Sequence, residues 1–194
     1  ILHRDSVEKE LAGHAAHDFV RGIRHKPAAA PAPDRIERGA PGGMTDPEWR
    51  RGYAMLARHG LHFELQAPWW HVDELLDLVG AHPETPVVIN HTFLPADRSP
   101  DGLAGWRRAM ARAASAPLIS IKISGIGLKG RPWSLADNRR IILEAIDIFG
   151  PERAMFASNF PVDGLCGSFE ATQDLGRTAQ AALLAGNARR IYRL

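Results

Sequence analysis

The chain has 194 residues, with 24 basic against 22 acidic side chains and a formal charge of +2 at pH 7. That length suffices for one domain with a sizeable core, and 45% hydrophobic with 24% charged residues is ordinary for a globular protein. Arginines are scattered over the expected helices rather than gathered into a basic stripe, which argues against a nucleic-acid partner. No apolar run approaches the ~20 residues of a membrane span, and no signal-peptide pattern opens the chain, so no membrane partner is expected. The single cysteine, Cys166, excludes an intramolecular disulfide and a zinc ribbon. It reads as a bystander thiol, and a reducing cytoplasm is the default location.

Asp5 or Ser6 is placed to cap a first helix through Val7, Leu11 and Ala15, and residues 18–25 read as a strand. Residues 26–44, rich in Pro, Ala and Gly, have no periodicity and form a long loop, of a length usual for functional lids or partly disordered segments. Thr45 and Glu48 have capping-box spacing before a helix with Trp49, Tyr53 and Leu56 on its buried stripe, ended by Gly60. A strand over 61–66 leads through Trp69, Trp70 and His71 into a helix lined by Val72, Leu75, Leu76 and Val79, which Gly80 and Pro83 end. A strand over 86–91 is followed by a helix with Leu103, Trp106 and Met110 inside. The strand 118–124 is followed by a helix that Ser134 caps, carrying Ile141, Ile142, Ala145 and Phe149. A last strand over 153–157 stops at Ser158-Asn159, with Pro161 barring its continuation, and a helical tail closes the chain. Strand and helix alternate, which argues for a parallel sheet.

Two strands alternate polar and apolar residues. Ser120, Lys122 and Ser124 share one face of the fourth, and His62, Glu64 and Gln66 one face of the second. An open sheet covered on both faces has no comfortable place for these triplets, whereas a barrel lumen does. The arrangement predicts a Glu64–Lys122 pair within about 6 Å, because an unpaired buried charge is costly. An edge strand with a solvated lysine is the plainer alternative. The buried strands end in Asn90-His91 and Ser158-Asn159, where α/β barrels and open α/β sheets bind ligands.

At residues 20–25 (VRGIRH), 88–95 (VINHTFLP), 121–125 (IKISG) and 155–162 (MFASNFPV), and in the closing GNARRIYRL, the sequence resembles the amidohydrolase-related family. That family includes lactonases acting on sugar-acid lactones and on 2-pyrone-4,6-dicarboxylate. The resemblance implies an α/β (β/α)8 TIM-barrel-like fold with strands four to eight in this chain, a single incomplete barrel domain over 1–194. The family's first strand, with its His-x-His pair, has no counterpart. Since such barrels need about 250 residues, the chain reads as the later part of a longer one. The final helix reads as short for the family, as though residues between Thr172 and Leu183 were missing.

The resemblance places catalytic roles at His91, Asn159 and Asp163, and substrate contacts at Arg24. His91 matches a histidine that binds a divalent metal or polarises the substrate carbonyl; by its residue type alone it can ligate, donate or shuttle protons. Asn159 stands where the family usually has an aspartate base. An amide cannot take a proton, so Asp163 supplies the carboxylate, the branch uses other chemistry, or it is inactive; Asp163 also suits a plain turn before Gly164. Arg24 either grips a substrate carboxylate or lactone oxygen or pairs structurally. Gln66, Trp70 and His71 leave the second strand at the same rim. One tryptophan there is suited to wall a pocket, while packing under the next helix is the alternative.

Opening of a lactone or similar cyclic ester of a small acid is the leading expectation. A metal-dependent non-oxidative decarboxylase and a non-catalytic small-acid-binding barrel stand behind it. The cofactor stays open between one divalent metal such as zinc and none. A small-molecule substrate is the expected partner, and a homo-oligomer is left open.

Overall fold

The structure, a computed structural model, describes residue 2 and residues 4–128, 130–162 and 182–194. Within them five strands form one sheet: β1 (Gly22–His25), β2 (His62–Leu65), β3 (Val87–Ile89), β4 (Ile119–Ile123) and β5 (Ala154–Phe156). All neighbours are parallel and the order is β1-β2-β3-β4-β5. A doubly wound sheet reverses its order at a switch point. The unreversed order here is that of a barrel wall, in which each crossover adds the next strand on the same side.

Helix α1 (Val7–Ala15) precedes β1, and α2 (Pro47–Arg58), α3 (Val72–Ala81), α4 (Pro100–Ala114) and α5 (Leu135–Phe149) connect successive strands. A π-helical turn, Ala182–Gly186, leads into α6 (Asn187–Tyr192). The helices carry the expected stripes: Trp49, Tyr53, Leu56, Leu75, Trp106, Met110, Ile141 and Ala145 are buried against Phe63, Leu65, Ile89, Ile121 and Ile123. Trp49, Tyr53 and Phe63 meet ring to ring at 5.1–5.6 Å, two of the contacts edge-on, the geometry that aromatic quadrupoles favour. No helix among the described residues is long and apolar enough to cross a membrane.

The opposite face of the sheet is polar. Register puts Arg24 beside Glu64, Glu64 beside Val88, and Val88 beside Ser120. Glu64 and Lys122 therefore reach across one intervening strand, and Lys122 Nζ lies 2.9 Å from Glu64 Oε2. The predicted pair is formed, and both side chains are nearly enclosed, at 12% and 11% exposure.

Several boundaries differ from the sequence reading. β1 starts at Gly22 rather than at 18, because Val20 N bonds back to His17 O at 2.9 Å and closes a turn there. Asp46, not Thr45, caps α2: its Oδ1 accepts from Glu48 N at 2.9 Å. The Thr45 hydroxyl accepts from Gly39 N and donates to Glu74 instead, so the long loop consumes the group that a capping box needs. Ser6 occupies the cap position of α1 without a side-chain cap bond, and α3 runs one residue past Gly80. Ser134 caps α5 as expected, accepting from Asp137 N at 3.2 Å.

The N-terminal ends of the strands are tied down by the closing motif and by Arg153. Asn187 Nδ2 donates to Pro151 O and Ala154 O at 2.5 and 2.7 Å. The Arg153 guanidinium donates to the carbonyls of Ala114, Ala116 and Ile119 at 2.8–3.3 Å.

Candidate active site at the carboxyl ends of the strands

Three neighbouring strands leave the sheet through left-handed backbone. After β3, His91, Thr92, Phe93 and Leu94 have φ between +53° and +60°; after β4, Gly125 has φ +59°; after β5, Asn159 has φ +54°. A left-handed turn of L-residues costs roughly 1–2 kcal/mol per residue and must be held. Trp106 Nε1 donates to Thr92 O at 2.8 Å, and the Thr92 hydroxyl donates to Ser124 O at 3.3 Å. Gly125 is needed for space as well as for φ, since a Cβ there would lie 2.7 Å from the His91 ring. Backbone strain retained against such a cost concentrates at functional sites. Here it fixes the direction of one imidazole.

His91 is buried, and its Nδ1 lies 3.0 Å from the Ser124 hydroxyl. Burial pushes its pKa down to about 4, helped by the positive charges of Arg24, Lys122 and Lys26. The ring is therefore neutral at pH 7. A base this weak is a poor proton acceptor there; a neutral imidazole whose Nδ1 accepts from a hydroxyl presents Nε2–H as a donor.

Arg24 is fixed on its inner side. Nε donates to Glu64 Oε2 and Nη2 to Asn90 Oδ1, both at 3.1 Å. Asn90, fully buried, is held in turn by its Nδ2 donating to Leu65 O at 3.2 Å. The side chain remains 48% exposed, and among the described residues Nη1 makes no hydrogen bond. Arg24 is thus structurally paired and still has donors for a ligand. Burial raises the pKa of Glu64, but the Lys122 charge and the bonds from Lys122 and Tyr192, with His62 close by, outweigh this and hold the carboxyl well below the usual range.

Gln66 lies one residue past β2, half-buried, its backbone N donating to His25 O at 3.3 Å. Trp70 and His71 are engaged by the long loop: Trp70 Nε1 donates to Ala30 O at 3.0 Å, and His71 Nε2 accepts from Ala30 N at 2.9 Å. Because a backbone N–H donates to Nε2, the His71 proton sits on Nδ1, facing Glu74. A cavity of about 190 Å³ lined by Ala28, Arg35, Glu37, His71 and Glu74 lies under this loop. Trp69 packs on Gly105, where a Cβ would come within 2.4 Å of its ring. Asn159 is half-buried and engaged with its surroundings. Asp163 and Cys166, like the stretch between Thr172 and Leu183 up to residue 181, lie outside the described residues. A second cavity, of about 470 Å³ and lined by His62, Ser120, Arg153, Arg190 and Arg193, opens at the opposite ends of the strands.

Among the described residues no three His, Cys, Asp or Glu side chains are grouped to hold a metal ion. His91 alone does not make such a site. Sequence reasoning placed Asn90 at the strand end and Ser124 on the lumen face but gave neither its partner, and it gave no role to Lys26, whose charge acts on His91. The alternation in β4 had put Ser124 on the lumen face, but its bond to His91 depends on the left-handed turn, which no propensity marks.

Parallel strands that raise a guanidinium, an imidazole and an amide at their carboxyl ends define the class of α/β-barrel ligand sites. The chain belongs to the amidohydrolase family, whose sequence model matches residues 2–194. Protein y4mH of Sinorhizobium fredii, itself uncharacterised, is 36% identical over all of this chain and 67% of its own length. An L-fucono-1,5-lactonase of Burkholderia multivorans is 30% identical over 78% of this chain and 57% of its own; this chain thus spans little more than half of that relative. An amidohydrolase from Burkholderia multivorans solved with bound Zn superposes with a TM-score of 0.80 at 25% identity, over 100% of this chain and 71% of that one. These likenesses give the chain the α/β-barrel fold of the amidohydrolases.

Proposed function

We propose that this protein is a hydrolase that opens a lactone or a similar cyclic ester of a small carboxylic or sugar acid. The observation that carries the reading is Arg24, fixed by Glu64 and Asn90 on one side and half exposed on the other, at the rim that also bears a neutral histidine. A guanidinium so held suits bidentate recognition of a carboxylate or lactone oxygen. The similarity to an L-fucono-1,5-lactonase supports the substrate class.

In this mechanism Arg24 binds the acid or its lactone oxygen. Ser124 donates to His91 Nδ1, and Nε2–H donates to the lactone carbonyl oxygen, stabilising the oxyanion as water attacks. A neutral imidazole in this role needs no change of charge during the step. Asn159 orients the water through its amide, and the Asp163 carboxylate takes the proton. Gln66, Trp70 and His71 complete the wall on the side of the long loop. Loss of the ring C–O bond, with the proton returned to the leaving alkoxide, gives the hydroxy acid.

Asn159 motivates a second reading, a barrel that binds a small acid without turnover. Titration of released acid from a lactone panel that includes L-fucono-1,5-lactone separates the two. Turnover abolished by Asp163→Ala but not by Asn159→Ala supports Asp163 as the base, the opposite result removes it from the mechanism, and binding of the acids with no turnover of any lactone leaves the second reading.

A further inference from the structure

The closing segment of the chain reaches into the same charge network from the opposite end of the strands. The Tyr192 hydroxyl donates to Glu64 Oε1. The other carboxylate oxygen, Oε2, accepts from both Arg24 Nε and Lys122 Nζ, at 3.1 and 2.9 Å. We propose that Tyr192 is a positioning residue for the acid-binding guanidinium: by fixing one oxygen of Glu64 it aims the other at Arg24. The inference rests on the reading of Arg24 as the group that binds the substrate's acid.

Two cations on one oxygen leave the Glu64 carboxylate plane free to turn about that contact. A donor on the far oxygen fixes the plane. Tyr192 also has a fixed approach. The Arg193 guanidinium donates to Arg21 O and Gly60 O, at 3.2 and 2.7 Å, and Arg21 Nε donates to Arg193 O at 3.3 Å. Arg21 immediately precedes β1 and Gly60 stands two residues before β2, so the tail is stapled to the two strands that carry Arg24 and Glu64. The Tyr192 ring is held as well: His62 meets it edge-on at 4.8 Å and 88°, and Lys122 Nζ lies 5.0 Å from its centre. His62 Nε2, 3.6 Å from Glu64 Oε1, is too distant to take the hydroxyl's place as donor. Burial and the neighbouring Glu64 carboxylate keep the phenol pKa above its usual value, so the hydroxyl remains a donor over the whole working pH range. Tyr192 acts on Arg24 through Glu64.

The test is a double-mutant cycle on the full chain, read by calorimetric binding of glutarate as a simple carboxylate probe. Tyr192→Phe keeps the ring contacts and removes the donor. It is expected to weaken glutarate by about tenfold, the scale of one hydrogen bond to a charged group, and in turnover to raise KM rather than lower kcat. In an Arg24→Ala background the same change is expected to have no further effect on affinity. Unaltered affinity in Tyr192→Phe, or two effects that multiply, overturns the proposal. Wild-type chain that does not bind glutarate, or Arg24→Ala that binds it as wild type does, instead removes the role of Arg24 on which the proposal stands. Should Tyr192→Phe fail to fold, Tyr192→Leu, which also lacks the donor, serves in the same cycle, with the same non-additivity with Arg24→Ala expected and a multiplicative result contradicting the proposal.

Discussion

Arginine has opposite fates at the two ends of the parallel strands. At the amino ends Arg153 gives its hydrogen bonds to the carbonyls of Ala114, Ala116 and Ile119, and Arg193 to those of Arg21 and Gly60. Those guanidiniums hold helix and strand ends together. At the carboxyl ends Arg24 uses only its inner donors, on Glu64 and Asn90, and stays half exposed. The backbone shows the same division. Residues 91–94 and Asn159 are in left-handed conformations at the carboxyl rim, and Trp106, Ser124 and Gly125 hold the first of these. One end of the barrel wall is committed to stability, and the other keeps donors and strain for a ligand.

The most severe way to break this division is to remove Glu64, which serves Arg24 and Lys122 through one oxygen and Tyr192 through the other. Glu64→Leu leaves Lys122 uncompensated in a nearly closed environment and is expected to cost about 3–5 kcal/mol in urea denaturation. His91→Ala is the complementary change. It should lower kcat on a lactone by roughly 10²–10³-fold, as loss of an oxyanion donor does, a loss that persists after correction for folded fraction. Arg153→Ala should do the reverse, costing about 2 kcal/mol of stability through its lost carbonyl bonds with the activity of folded molecules intact.

The pH dependence sharpens the same contrast. The His91 pKa is lowered from 6.5 to about 4 in the fold, so between those values the unfolded chain binds more protons. Stability contributed by His91 is complete above about pH 6.5 and is lost as pH falls toward 4. Activity should be flat near pH 7 on the His91 side, and His91→Gln should flatten the stability profile between about pH 4 and 6.5. Of smaller size, Asp46→Ala removes the cap that α2 uses and should cost about 1 kcal/mol, whereas Thr45→Ala should act through the long loop and Glu74, raising amide hydrogen exchange around Gly39.

Much of this was legible in the sequence because it rests on period and burial. The alternation in β2 and β4 gave the polar face, and the cost of an unpaired lysine gave the Glu64–Lys122 pair. The apolar stripes of α2, α4 and α5 follow from their spacing alone. What escaped was decided by competition or by backbone conformation. Thr45 and Asp46 are both good caps, and the long loop took one of them. The left-handed run after Asn90 consists of residues that rarely adopt it, so nothing local announces it, and with it went the contact of His91 with Ser124. The tie between Tyr192 and Glu64 joins positions 128 residues apart, and only the folded chain brings them together.

The most direct measurement is the rate of acid release from L-fucono-1,5-lactone by the wild-type protein, His91→Ala and Arg153→Ala, each corrected for folded fraction. Turnover by the wild type that drops at least a hundredfold in His91→Ala and persists in Arg153→Ala places the chemistry at the carboxyl rim. Equal rates in wild type and His91→Ala, or a collapse confined to Arg153→Ala, would put it elsewhere.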